Sequence, residues 1–357
     1  MSKLYSHTAY CSLSYNGEVY AGMEELLMLA ADLQESSDKE LRQLSIFLAQ
    51  WCNNSPFIEL QTSGSTGKPK LIRVRKSAML ASADRTIRFL NLQQGDSALL
   101  CLSVKYIAGK MMVVRAMRGN LKLIQGSVTS NPLVFIDHTI DFTAMVPLQV
   151  ASIINDDRAL FSKVKKLIIG GGKVDDDLAS EIVQLGINAW ESYGMTETVS
   201  HIALRKIEDV GSPFSLLPEI KISQDQRGCI VIKPSSINEN ELFTNDIIEL
   251  ISDHEFVLKG RFDNVINTGG IKVFPEEVER KLNMYIPQSF IISSLPDLKL
   301  GNRIVLVIEG DKDGCMELEE AFSQLTAFEK PKEIRFISKF PMTETGKIQR
   351  LKIQQLL

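Results

Sequence analysis

With 357 residues, 44% of them apolar and 24% charged, the chain is an ordinary globular mixture with material for one large or two domains. A net charge of −4 provides no basic surface for nucleic acid or an anionic membrane, so any phosphate must be held by local positive groups. Five scattered cysteines outside any metal-ligand spacing, four unpaired histidines, no apolar leader segment and no run near about 18 apolar residues exclude a disulfide framework, a zinc site and membrane insertion, and read as a cytoplasmic protein.

From the N-terminus, residues 22 to 52 repeat apolar side chains at spacings of three and four, which predicts helix. Phe57-Ile58-Glu59-Leu60 reads as a strand. It runs into a segment with Thr62, Ser63, Gly64, Ser65, Thr66, Gly67 and Lys70. Glycines allow close backbone approach, successive N–H groups form a nest for phosphate oxygens, hydroxyls add donors and lysine adds a charge. The loop suits a polyphosphate. It departs from the common P-loop, which needs four residues between its glycines and a hydroxyl after its lysine; here Pro69 follows Lys68. A flexible surface loop is the alternative for this segment taken alone.

From 57 to 190 the chain alternates short apolar runs (98–102, 121–124, 144–146, 166–169) with helix-like stretches at 76–90 and 109–117. This predicts an α/β architecture with largely parallel strands. Gly170, Gly171 and Gly172 follow one apolar run, and Asp175 stands where a dinucleotide fingerprint needs glycine, leaving a tight turn or a close approach to a flat ligand. The expected strand 186–190 leads to Ser192-Tyr193-Gly194-Met195-Thr196-Glu197-Thr198. At the carboxyl end of a strand, Tyr193 suits a base, Thr196 a phosphate and Glu197 a Mg²⁺ bridging phosphate oxygens. A solvated turn is the plain alternative. Residues 219 to 260 change to strands separated by turns, which predicts a small β-rich subdomain over about 211–260. A boundary near Gly260–Asp263 divides a domain of residues 1–262 from a compact α+β domain of residues 263–357. The latter has a Thr268-Gly269-Gly270 turn, a helix beginning at Pro275 with Glu276 and Glu277 in its first turn, and a strand pair at 289–294 and 303–309.

In this order the segments resemble the adenylate-forming superfamily: acyl- and aryl-CoA ligases, luciferases and peptide-synthetase adenylation domains. The matches run from residue 62 to residue 350. The loop 62–70 is similar to the family's phosphate loop, with Lys70 at its fixed lysine. Tyr193–Glu197 is similar to the adenine and Mg²⁺ motif. Thr244-Asn245-Asp246 is similar to the Thr-Gly-Asp whose aspartate binds ribose, and Gly260-Arg261-Phe262-Asp263 to the segment whose arginine touches ribose and whose aspartate is the hinge. Pro341–Lys347 is similar to the loop carrying the adenylation lysine. The resemblance implies a large N-terminal α/β domain with a small β-rich subdomain and a small mobile α+β C-terminal domain. It implies ATP, Mg²⁺ and CoA as ligands, with Lys347, Thr196 and Glu197 catalytic, Glu197 holding the metal, and Gly269 and Gly270 lining the thiol tunnel. A carboxylate attacks the α-phosphorus, pyrophosphate leaves, the C-terminal domain turns about Asp263, and the CoA thiol displaces AMP. The attacking acid is already ionised, which accounts for the lack of a catalytic His or Cys.

For the acid, Leu102–Lys110 resembles the Pro-Leu-x-His-x-x-Gly segment of aryl-CoA ligases, with Tyr106 in place of the histidine. Thr143–Gln149 and Ser192–Arg205 resemble the compact o-succinylbenzoate–CoA ligases of menaquinone synthesis. Such an acid has a second carboxylate that needs a cation or donors, for which Lys110, Lys173 and His201 are the candidates. Competing readings are a benzoate-like or fatty-acid ligase, an adenylation enzyme loading a separate carrier protein, and a non-catalytic nucleotide-binding regulator. The phosphate loop begins on the order of a hundred residues earlier than in typical members, which leaves the oligomeric state open. Asn245 for glycine is a mild departure, because asparagine tolerates left-handed φ.

Overall fold

The computed structural model describes residues 10–61, 71–208, 212–236, 240–311, 318–342 and 348–357. Its contacts group the chain into two compact units. The first comprises 1–174, 178–221 and 232–242, and the second 175–177, 222–231 and 243–357.

The first unit is α/β. Its elements are β1 (Ser12–Tyr15), β2 (Glu18–Ala21), α1 (Gly22–Gln34), α2 (Lys39–Cys52), β3 (Phe57–Gln61), β4 (Leu71–Arg75), α3 (Lys76–Phe89), β5 (Ser97–Leu100), α4 (Ile107–Gly119), β6 (Lys122–Gln125), β7 (Phe142–Met145), α5 (Pro147–Asp157), β8 (Leu167–Ile169), α6 (Asp176–Gln184), β9 (Ala189–Gly194), β10 (His201–Lys206) and β11 (Phe214–Leu216). The sheet runs β11-β10-β9-β8-β7-β5-β6-β1-β2. Strands β6, β5, β7, β8 and β9 are parallel, as expected of strands joined by crossover helices. Their inward residues Leu99, Met145, Leu167, Ile169 and Ala189 share a core with Val150, Ile153 and Ile182 of α5 and α6. Parallel order has a functional result: the segments after β5, β7 and β8 and the end of β9 emerge at one sheet edge.

In the second unit, β12 (Ile222–Gln224), β13 (Cys229–Ile232), β14 (Leu242–Ser252) and β15 (Glu255–Arg261) form the predicted β-rich run. After it come β16 (Ile266–Thr268), β17 (Ile271–Val273), α7 (Pro275–Leu282), β18 (Phe290–Asp297), β19 (Gly301–Glu309), α8 (Leu318–Ser323), β20 (Glu333–Ile337) and α9 (Arg350–Leu356). Strand β19 pairs antiparallel with β18 and parallel with β20. Period-two alternation gives this small sheet two buried faces. Ile292, Ile304, Leu306 and Ile308 pack with Val278 and Leu282 of α7, while Ile291, Val305 and Val307 pack with Phe340 and Ile353 of α9.

Several boundaries differ from the sequence reading. The stretch 22–52 is two helices, because Asp38 caps a new one: its carboxylate accepts the Glu40 amide at 2.7 Å. The expected strand 186–190 begins at Ala189 and carries Ser192–Gly194 inside β9. The N-terminal hairpin β1–β2, strand β4 and helices α5 and α6 were not predicted.

Candidate active site

The parallel edge gathers most of the predicted residues of the first unit that are described. Tyr106 is the N-cap residue of α4, and Lys105 lies over its ring at 5.3 Å. After β7, the Gln149 side chain reaches back to the amide of Val146 and donates to the carbonyls of Cys101 and Thr129, tying the ends of β5 and β7 together. After β8, Gly170 presses against the Ser192 hydroxyl, which donates to Ile169 O at 3.1 Å. Gly171 takes a φ of 82°, and a Cβ on Gly171 or Gly172 would touch Val146 or Pro147 at 3.4 Å. The glycines thus form a strap between two strand ends, and a side chain on Gly170 would drive it into the motif. Tyr193 is buried with its ring edge-on to Phe214, centroids 6.0 Å apart. Gly194 lies so close to the Ser200 carbonyl and His201 backbone that only glycine fits.

The turn that follows carries Thr196 and Glu197. Glu197 is exposed and has no partner among the described residues. The Thr198 hydroxyl receives the Met195 amide at 2.9 Å and lies 2.7 Å from Ser200 O and 2.9 Å from Met195 O, its acceptors. The Ser200 amide donates to Thr198 O at 2.8 Å, closing a γ-turn around Val199 at φ 69°, ψ −51°. That conformation is rare and strained, by about 1–3 kcal/mol for a residue with a side chain.

Beneath the turn is a buried polar chain. The Arg115 Nη2 donates to Ser200 Oγ at 3.0 Å. Ser200 Oγ lies 3.3 Å from His201 Nδ1, His201 Nε2 lies 3.0 Å from Thr86 Oγ1, and Thr86 Oγ1 donates to Ser82 O at 3.2 Å. The protons follow from this order. Thr86 spends its only hydrogen on Ser82, so it accepts from His201 Nε2–H; Nδ1 then accepts from Ser200. Burial and the adjacent Arg115 charge push the His201 pKa well below its usual value, so the ring is neutral. Arg115 is 3% exposed, and burial lowers its pKa to about 9. It has no carboxylate within ion-pair distance among the described residues, and its Nε is unpaired.

The three candidates for a second carboxylate are therefore placed differently. Lys110 is buried, donates to Val104 O at 2.5 Å and lies over the Phe47 ring, and burial lowers its pKa to about 8. His201 has both ring nitrogens engaged. Lys173 is exposed beside the glycine strap. Arg115 was not singled out from the sequence; its signal is a lone arginine inside the apolar helical run Met111–Met117.

In the second unit, antiparallel register sets Asp246 of β14 opposite Arg261 of β15. The guanidinium bridges Asp246 and Asp263, each at 3.2 Å. Asn245 sits within β14 outside the left-handed region. Its tolerance of positive φ is therefore not what suits it to the glycine's place. It receives Arg227 at 2.9 Å and donates to both Asp263 oxygens at 3.1 and 3.2 Å. Gly269 and Gly270, with φ of 58° and 82°, make the two-residue turn joining β16 to β17.

Thr62, Ser63, Gly64, Ser65, Thr66, Gly67, Lys70 and Lys347 lie outside the described residues. Their anchorage does not. Gln61 pairs with Leu71 across β3 and β4, and Met342 bridges Ile348, with the Gln349 amide on Pro341 O at 2.9 Å. Arg350 then forks onto Glu279 at 2.5 and 2.8 Å. Among the described residues no cluster of three His, Cys, Asp or Glu could cage a metal, and no helix is long and apolar enough to cross a membrane. A lone exposed Glu197 fits a Mg²⁺ that takes its other ligands from phosphates and water, as that ion usually does.

Residues 26–234 match the family described as AMP-binding enzyme. The chain is 27% identical over 319 residues to the 2-succinylbenzoate–CoA ligase of Salmonella typhimurium, covering 82% of this chain and 67% of that one. It is 23% identical to the feruloyl-CoA synthase of an Amycolatopsis species, covering 92% and 74%. A solved acyl-CoA synthetase (AMP-forming)/AMP-acid ligase II-like protein from Dyadobacter fermentans is 36% identical, with a TM-score of 0.62 over 92% of this chain and 98% of that one. The o-succinylbenzoate CoA synthetase of Bacillus subtilis, solved with the acyl-adenylate OSB-AMP, shares the fold at a TM-score of 0.73 and 22% identity, over 83% and 68%. The chain spans about two thirds of the length of the 2-succinylbenzoate–CoA ligases it matches.

Proposed function

This chain belongs to the AMP-binding enzyme family, and from that premise we propose that it is an ATP-dependent, AMP-forming acid–CoA ligase acting on o-succinylbenzoate in the cytoplasm. The observation that carries the reading is the gathering at one sheet edge of Tyr106, Gly170–Gly172 and Tyr193–Glu197. The Asp246–Arg261 pair supports it with a carboxylate and a guanidinium suited to ribose hydroxyls. The choice of acid rests on Thr143–Gln149 and on the 2-succinylbenzoate ligases among the relatives.

In this reading the loop 62–70 holds the phosphates and Asp246 and Arg261 hold the ribose. Glu197 would hold Mg²⁺, which when bound neutralises phosphate charge. Lys347 holds the acid's carboxylate against the α-phosphate. A carboxylate oxygen bonds to the α-phosphorus as pyrophosphate leaves. After a turn about Asp263 the CoA thiol gives its proton to solvent, its sulfur bonds to the acyl carbon, and the acyl–phosphate bond breaks to release AMP, with Gly269 and Gly270 beside the thiol. Positioning and charge stabilisation carry both steps, and no general base is required for the first. Among the three candidates, Lys173 is the exposed cation and is proposed to meet a second carboxylate.

The test is mass spectrometry of products from ATP, Mg²⁺ and each of o-succinylbenzoate, benzoate and octanoate, with and without CoA. A CoA thioester and AMP from o-succinylbenzoate alone is the expected result. Thioester from octanoate or benzoate instead moves the substrate. An adenylate that never reaches CoA points to a carrier protein, and no product from any acid removes the ligase reading.

A further inference from the structure

The buried chain Arg115–Ser200–His201–Thr86 joins α4 and α3 to the first residues after the Glu197 turn. Two observations there lack a purely structural account. Among the described residues, a guanidinium is almost fully buried with one nitrogen unpaired and no carboxylate at ion-pair distance, an arrangement that apolar side chains of similar volume usually match or better. A β-branched residue, Val199, is held in a strained γ-turn two positions after Glu197. The two features meet at Ser200. Its backbone closes the γ-turn, and its hydroxyl takes the Arg115 proton and gives its own to His201. Thr198 grips the other side of the turn through Met195.

We propose that Arg115 is a positioning residue for nucleotide binding: by fixing Ser200 it keeps the strained Thr198–Val199–Ser200 turn closed, so that Thr196 and Glu197 are oriented before MgATP arrives. The inference rests on the role given above to Thr196 and Glu197. Arg115 itself touches neither nucleotide nor metal. Its value lies in direction, since a planar donor on a short buried path fixes one rotamer of Ser200, and Ser200 fixes the turn. Interior strain of this kind persists where its surroundings over-determine it.

The experiment compares Arg115→Met, Arg115→Lys and Ser200→Ala with the wild type in MgATP binding, in KM for ATP and for the acid, and in backbone amide exchange of residues 195–200. The methionine keeps the volume and removes the donors. The expected result is about tenfold weaker MgATP binding in Arg115→Met with unchanged or improved thermal stability, the scale of one lost directional hydrogen bond. Exchange rises at 195–200, the acid's KM stays constant, and Arg115→Lys recovers part of the loss. Ser200→Ala weakens MgATP binding similarly and, combined with Arg115→Met, adds nothing further. Wild-type binding and unchanged exchange in Arg115→Met overturn the proposal. So does a rise confined to the acid's KM, which would make Arg115 an anion anchor. If Arg115→Met fails to fold, Ser200→Ala decides by the same two readouts. A wild type that binds no MgATP would remove the ligase reading, while exchange at 195–200 would still decide whether Arg115 holds the turn.

Discussion

The turn after β9 and the hairpin β14–β15 both present acidic side chains, yet they are supported by contrasting physics. Around Glu197 the supports are buried: a neutral histidine, hydroxyls and one guanidinium, with every proton direction set by its neighbour. Around Asp246 they are ions at the surface, Arg261 being 53% and Asp263 54% exposed. Buried polar chains are rigid because any broken link leaves a desolvated group, whereas exposed pairs exchange partners at little cost. One region is made ready in advance. The other can release Arg261 from its aspartates when a better partner arrives.

The largest effect should come from neither support but from the charge proposed to be catalytic. Lys347→Ala is expected to slow adenylate formation by about a thousandfold, the order of a lost transition-state contact, and to spare thioester formation from supplied acyl-adenylate. Equal losses in both half-reactions would refute the assigned role. Next is the second unit's own half-buried ion pair. Arg350→Met should destabilise that unit by about 2 kcal/mol, because the half-buried Glu279 loses its bidentate charge-assisted partner. Denaturant unfolding indistinguishable from wild type would show that Glu279 simply takes up a proton; burial already pushes its pKa upward.

Removing a partly buried acid whose cationic partner is exposed should act mainly on binding. Asp246→Ala should raise the KM for ATP by roughly 10–30-fold, as for a lost charge-assisted hydrogen bond, and leave the melting temperature nearly unchanged. A large melting shift with unaltered KM would reverse the comparison. Acid should test the buried side. The His201 pKa is lower folded than unfolded, so between the two values the unfolded chain binds more protons and stability rises with pH. Its contribution is therefore complete above pH of about 6.5 and declines below it. His201→Gln, titrated beside the wild type by thermal melting, should flatten that decline, and parallel curves would assign it elsewhere. The smallest effect should follow Asn245→Gly. Asp263 would keep Arg261 and lose one donor, changing the ratio of the two half-reaction rates by less than about threefold. A tenfold change would raise Asn245 from a support to a determinant of the proposed hinge.

Much of the fold was legible in the residues because strand–helix alternation and tight turns leave compositional marks. The α/β alternation, the β-rich run and the glycine positions could all be read from local pattern. The two-residue turn at Gly269–Gly270 and the strand pair after Ser289 were visible for the same reason. Boundaries were harder where long-range pairing overrides local signal. Ser192–Gly194 lies in a strand because β10 pairs with it, and Leu71–Arg75 because β3 does. Arg115 was invisible for a different reason. A lone arginine in an apolar helix looks like a solvated position until α3 and β10 close over it. Lys110 and His201 showed the converse: both are polar residues near the site, and both turn out to be committed to interior partners.

The N-terminal hairpin bears on a separate property, the chain's tendency to associate with itself. Strand β1 lies parallel along β6, and the Asn16–Gly17 turn, with φ of 49° and 90°, folds β2 back as a four-residue border with Glu18 at its start. A short border strand with a charged end is a poor template for another chain, whereas β6 uncovered would offer a row of unsatisfied amides beside Leu123. A chain shortened to begin at Gly22 should therefore keep its helices and precipitate at concentrations where the intact chain stays dispersed.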